Sequence, residues 1–140
     1  MTKIGLLSDT HSFLHPRLFE FFADCDEIWH AGDIGNIETA DKLAAFKPLR
    51  AVYGNIDGHK TRIAHPETQL FTCEKTKVFI IHIGGYPGRY QPKAHKIILE
   101  EKPGLFISGH SHILKVMFDK KHNLLHINPG GGGNSGLHKK

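Results

Sequence analysis

A chain of 140 residues, 39% hydrophobic and 23% charged, has the make-up of a single globular domain, here taken as residues 1–140. No apolar run approaches the roughly 20 residues of a membrane helix. The formal charge of +4 comes mostly from scattered lysines, which argues for a solvated surface and against a nucleic-acid partner. Two cysteines, Cys25 and Cys73, with no CxxC pair, exclude a disulfide framework or a zinc knuckle. With an opening, "MTKIGLLSDT", that reads as no signal peptide, the expectation is a reduced, cytoplasmic protein.

In chain order, "KIGLLS" (3–8) is a continuous apolar run, as in a strand covered on both faces. "RLFEFFADC" (17–25) predicts a short helix and "EIWHA" (27–31) a second strand. "IETADKLAAF" (37–46) carries Ile37, Ala40, Leu43 and Ala44 at helical spacing, with Asn36 as N-cap. "LRAVY" (49–53), "TQLFTC" (68–73) and "KVFIIHI" (77–83) read as strands, the last two joined by a three-residue turn. "KAHKIILEE" (93–101) predicts a helix stopped by Pro103 and Gly104. Strands then follow at 105–108, 114–119 and 124–128. The alternation predicts an α/β domain with mostly parallel central strands and an antiparallel portion late in the chain.

Each central strand runs out into a small residue beside a polar ligand type: "SDTH" (8–11), "AGD" (31–33), "YGN" (53–55), "HIGG" (82–85) and "SGHSH" (108–112). Open α/β sheets gather ligands outside the carboxyl ends of their strands. Five such ends bring Asp9, His11, Asp33, Asn55, His82, His110 and His112 to one rim. Two Asp, one Asn and four His exceed what one catalytic ion takes, which is three protein groups plus water. They suit two divalent ions sharing a carboxylate. A nitrogen and oxygen shell without thiolate favours manganese, iron, zinc, nickel or cobalt over calcium or copper(I) and selects poorly among them; manganese is the expected ion, with the others and magnesium as alternatives. Two ions about 3.5–4 Å apart hold a bridging hydroxide as nucleophile and clamp an in-line displacement at phosphorus.

In that order and at those strand ends, Asp9-Thr10-His11, Gly32-Asp33, Gly54-Asn55, His82 and Gly109-His110-Ser111-His112 resemble the calcineurin-like metallophosphoesterases. The match is to their small, single-domain phosphodiesterase branch, and it runs from residue 4 to about 130, including "INPGG" at 127–131. The resemblance implies a four-layer αββα sandwich, two packed mixed sheets flanked by helices. It also implies that Asp9, His11 and His112 hold one metal, that Asn55, His82 and His110 hold the second, and that Asp33 bridges. Asp33 and Asn55 would then act at the phosphate of a small phosphodiester substrate.

Three positions depart from the family pattern. Ile56 stands where many members carry a histidine that protonates the leaving oxygen, a contribution of roughly 10²–10⁴-fold. "HIGGYPGRY" replaces H-G-H at the fourth block, with Arg89 and Tyr90 either at the substrate or packing the loop. The C-terminal "GGGGNSGLHKK" stands where relatives continue with two further strands, which predicts missing C-terminal strands and an open sheet edge.

Competing readings are a non-catalytic interaction scaffold of the same fold, like the small retromer subunit, a phosphomonoesterase, or a nuclease. The full set of ligand types favours catalysis, and no basic and aromatic stripe supports a nuclease. His30 is expected to pack inside its strand, and Asp57 either to orient a ligand or to cap a turn. "GGGNSG" (131–136) matches a dinucleotide fingerprint only literally, since no helix opens after it.

Overall fold

The computed structural model describes residues 2–131 and the backbone of 138–139. Nine strands and four helices alternate along these residues: β1 (Ile4–Leu7), α1 (Leu18–Phe21), β2 (Glu27–His30), α2 (Ile37–Phe46), β3 (Leu49–Ala51), α3 (His59–Ala64) and β4 (Thr68–Cys73), then β5 (Thr76–Ile81), α4 (Pro92–Glu101), β6 (Leu105–Ile107), β7 (Lys115–Asp119), β8 (Leu124–Asn128) and β9 (His138–Lys139). They form two sheets, of order β3-β2-β1-β9 and β4-β5-β6-β8-β7. Strands β1, β2 and β3 are parallel, as are β5, β6 and β8, while β4, β7 and β9 run antiparallel to their partners.

Three apolar seams order the layers. Ile4, Leu6 and Trp29 of the first sheet meet Val78, Ile80, Leu105 and Ile107 of the second. Leu7 and Ile28 point the other way, onto Leu18, Phe22 and Leu43 of the α1 and α2 segments. Phe79 and Phe106 face Ala94 and Ile98 of α4. Strand β1 and the buried end of β5, Val78 to Ile81, are therefore apolar on both faces and form unbroken hydrophobic runs, whereas β2 carries Glu27 and His30 at its ends. The result is the four-layer αββα sandwich. No helix among the described residues is long and apolar enough to cross a membrane.

Three details differ from the sequence expectation. Helix α1 stops at Phe21 instead of running to Cys25, because Asp26 is captured by β1: its N–H donates to the Lys3 carbonyl at 2.7 Å and its carboxylate accepts from the Lys3 N–H at 2.8 Å. Helix α3 carries no apolar stripe, burying only Thr61 while Ile63 stays exposed, so periodicity gave no sign of it. Late in the chain, the β9 backbone pairs with Gly5 and Leu6, so part of the edge beside β1 is covered. In the second sheet β7 is an edge strand that leaves apolar side chains uncovered. Val116 and Phe118 share the inter-sheet face with their partners Ile127 and Leu125, yet among the described residues they remain exposed.

Candidate metal centre

All the parallel strands of both sheets end at one rim, and the loops that follow β1, β2, β3, β5 and β6 meet there. Backbone hydrogen bonds continue past the strands and sew these loops together: Asp9 N to Gly32 O (2.9 Å), His11 N to Asp33 O (3.0 Å) and Gly109 N to His82 O (2.9 Å). Polar contacts also cross between the sheets. The His110 N–H donates to Asp9 Oδ2 at 3.1 Å, and His82 Nδ1 donates to the Ala31 carbonyl at 2.7 Å.

The structure brings all seven predicted side chains to this rim. Ligand atoms of Asp9, His11 and His112 lie within 4.8 Å of one another, and so do those of Asp33, His82 and His110. Asn55 joins the second group, its Oδ1 3.0 Å from His82 Nε2 and 3.1 Å from His110 Nδ1. Asp33 Oδ2 lies between the groups, 3.2 Å from His82 Nε2 and 3.7 Å from His11 Nε2.

Two features show that this convergence suits cations. Asp9 Oδ2 is held by the Ser8 hydroxyl and the His110 N–H, whereas its Oδ1 is buried without a hydrogen-bond partner. That orphan oxygen faces His112 Nε2 at 3.3 Å, His82 Nε2 at 3.7 Å and His11 Nε2 at 3.9 Å. A buried carboxylate oxygen left unpaired costs free energy unless a cation completes it. The second feature is the His82 ring. A carbonyl can only accept, so His82 Nδ1 donates to Ala31, and the ring is thereby fixed with its Nε2 toward Asp33 Oδ2 and Asn55 Oδ1. Carboxylate, imidazole and amide oxygen are donors that divalent ions of the manganese-to-zinc series accept.

The backbone is bent to achieve this. Asp9, His11, Asp33, His110 and His112 all have φ between +49° and +74°, a region that costs non-glycine residues of order 1–3 kcal/mol each and clusters at functional sites. Two glycines make room. A Cβ on Gly54 would sit 2.1 Å from Asp33 Oδ1, and one on Gly109 would sit 2.0 Å from Ser8 Oγ.

The supporting residues were only partly foreseen. Asp57, buried, accepts from the N–H groups of Ile34 (3.1 Å), Gly35 (2.8 Å) and Gly54 (2.8 Å), so one carboxylate ties the Asp33 loop to the Asn55 loop. Of the two roles open to it in the sequence, these bonds show the capping of backbone N–H groups, which braces the loops and touches no candidate ligand side chain. Arg62 of α3, unforeseen, donates to the carbonyls of Asp57 (2.7 Å), Asn55 (3.3 Å) and Gly54 (3.4 Å) and stacks over Tyr53. Nothing in its sequence context marks it. Asn128 of "INPGG" holds the Gly109 carbonyl and the Ser111 hydroxyl, both at 3.1 Å. His30 packs as expected: burial lowers its pKa to about 3, and the neutral ring bridges Gly32 N–H to the Thr10 hydroxyl. Tyr90 packs too, on Phe106 with its hydroxyl on Asp119, away from the rim.

Two clefts open on the second group. One, of about 530 Å³, is walled by Asn55, His82, Tyr53, Arg62 and Lys93. The other, of about 320 Å³, is walled by His110, Tyr86, Ile113 and Lys115, with His126 and Asn128 among its lining. Ile83 and Gln91 belong to both.

A fold and rim of this kind define a metal-dependent phosphoesterase class, and comparison with known proteins agrees. The family profile of the calcineurin-like phosphoesterase superfamily domain matches residues 2–139, and the chain belongs to that superfamily. A curated relative, a probable metallophosphoesterase of Methanothermobacter thermautotrophicus, is 32% identical over 132 residues, covering 91% of this chain and 75% of its own length. Among solved structures, vacuolar protein sorting 29 of Cryptosporidium parvum aligns with a TM-score of 0.78 at 17% identity, over 96% of this chain and 76% of that one. An archaeal phosphodiesterase aligns with a TM-score of 0.68 at 22% identity, over 93% and 84%. At such identities these two structures attest the fold alone.

Proposed function

We propose that the protein is a cytoplasmic, two-metal phosphodiesterase acting on small substrates, with manganese as the favoured ion. Asp9, His11 and His112 would hold one ion, Asn55, His82 and His110 the other, with Asp33 shared. The observation that carries this reading is the convergence of two three-residue ligand groups and Asn55 on one rim, beside a buried carboxylate oxygen, Asp9 Oδ1, with no hydrogen-bond partner among the described residues. When bound, such a pair of ions supplies Lewis acidity toward phosphoryl oxygens and makes water acidic enough to attack near neutral pH.

The chain's own residues would do the rest. Asn55 turns its oxygen to His82 and His110, which leaves its NH₂ to donate to a phosphoryl oxygen. Exposed Ile56 offers no proton at the position after Asn55, so the leaving oxygen departs as an anion and activated aryl esters should turn over fastest. Two clefts meeting at one phosphate suit a diester, which carries two arms, better than a monoester, which carries one.

The test compares chelator-stripped and manganese-loaded protein on bis(p-nitrophenyl) phosphate and p-nitrophenyl phosphate, beside Asp33→Asn. Manganese-dependent turnover that prefers the diester, and falls more than about a hundredfold in Asp33→Asn, is expected. Turnover that ignores metal, or none at all, would favour the non-catalytic scaffold.

A further inference from the structure

The two clefts differ in what they have to offer a substrate. In the larger one the charges are already used: Lys93 pairs with Glu67, and Arg62 is spent on three backbone carbonyls. The smaller one is amphipathic. Its volume of about 320 Å³ falls at the lower end of ligand pockets, roughly 300–1,000 Å³. Tyr86, Ile113 and Ile83 are exposed apolar surfaces along it. Lys115 has no carboxylate partner among the described residues, and its ammonium lies 3.9 Å from the centre of the Tyr86 ring. Among the lining is His126, 1% exposed, whose Nδ1 donates to the Phe106 carbonyl at 3.3 Å and whose Nε2 therefore keeps its lone pair. Asn128 beside it is committed to Gly109, Ser111 and Gly130. A donor, an acceptor and a partly apolar wall in one narrow cleft match a flat ring with a polar edge.

We propose that this smaller cleft seats a planar aromatic arm of the substrate, against Tyr86 and Ile113, while the phosphate lies at Asn55 and His110. The inference rests on the phosphodiesterase reading and adds the class of one ester arm. Tyr86 and Ile113 are then specificity residues: they select the arm and take no part in bond breaking. Ring stacking of this kind should tighten binding of the arm by roughly fivefold to a hundredfold.

Calorimetric binding of two phosphonates to the manganese-loaded protein tests this without turnover. Phenylphosphonate and methylphosphonate carry the same head and differ only in the arm. The phenyl compound is expected to bind about tenfold more tightly. Tyr86→Ala and Ile113→Ala should each reduce that ratio, and leave the Kd of methylphosphonate within about twofold. Tyr53→Ala, in the larger cleft, should leave the ratio unchanged. Equal affinities in the unmodified protein, a ratio that survives both cleft variants, or one lost only in Tyr53→Ala would overturn the inference and leave the metal centre standing. Failure of both phosphonates to bind would overturn the phosphate-binding reading beneath it as well.

Discussion

The two halves of the centre are built differently. In the half around His82, His82 and Asp33 are buried and braced, while Asn55 and His110 are exposed: His82 is fixed by the Ala31 carbonyl, Asp33 by the Ile56 N–H at 3.0 Å, and the Asn55 loop by Asp57. Around His11 and His112 the side chains are 42% and 50% exposed, against 3% for His82. A ligand held before the ion arrives loses little conformational entropy on binding, whereas an exposed imidazole must be ordered by the ion itself. The inner position should therefore bind its metal tightly and keep it, and the outer one should exchange. Asp9 and Asp33, both buried, link the halves, so an outer ion would still meet preset carboxylates.

Substitutions break this contrast in order of effect. His82→Ala removes a braced ligand and should lower kcat/KM on a diester more than about a thousandfold, with no recovery at high manganese. Asp57→Ala orphans three backbone N–H groups. It should cost about 3 kcal/mol, close to a 10 °C fall in melting temperature, and weaken the inner metal, while Asp57→Asn, with one acceptor left, falls between. His112→Ala should lose less activity than His82→Ala, and raised manganese should restore part of it. Equal, unrescued losses in both histidine variants would erase the distinction between the halves.

A smaller effect concerns stability and pH. Burial pushes the pKa of His126 down to about 4, against about 6.5 for an unfolded chain. Between those values the unfolded state binds more protons, so stability is complete above pH 6.5 and falls as pH drops toward 4, by up to about 1.4 kcal/mol per pH unit. Melting curves from pH 7 to pH 5 should show this slope together with a like one from buried His30, and His126→Asn should reduce it by about half.

What the sequence disclosed and what it hid follow from range. The α/β order was legible because strands and helices alternate along the chain, and because β1 and the end of β5 are covered on both faces and carry unbroken apolar runs. The seven rim residues were legible because each follows a strand within a few positions, so local order alone places them. Arg62 and α3 were hidden: the helix is short, has no apolar stripe, and its arginine acts on carbonyls that any residue could supply. Asp57 was visible as a polar residue after Gly54-Asn55, but its grip on Ile34 and Gly35 depends on two loops meeting, which no local pattern encodes. Tyr90 misled for a similar reason. It lies in the loop after His82, yet its hydroxyl is drawn to Asp119, at the end of β7.

The central claim is that Asp9, Asp33, Asn55 and four histidines hold a pair of cations. Anomalous diffraction from manganese-soaked crystals tests it most directly. Two peaks per chain are predicted, one among Asp9, His11 and His112 and one among Asn55, His82 and His110, with Asp33 touching both. No peak at this rim after soaking, or manganese held by other side chains, would contradict it.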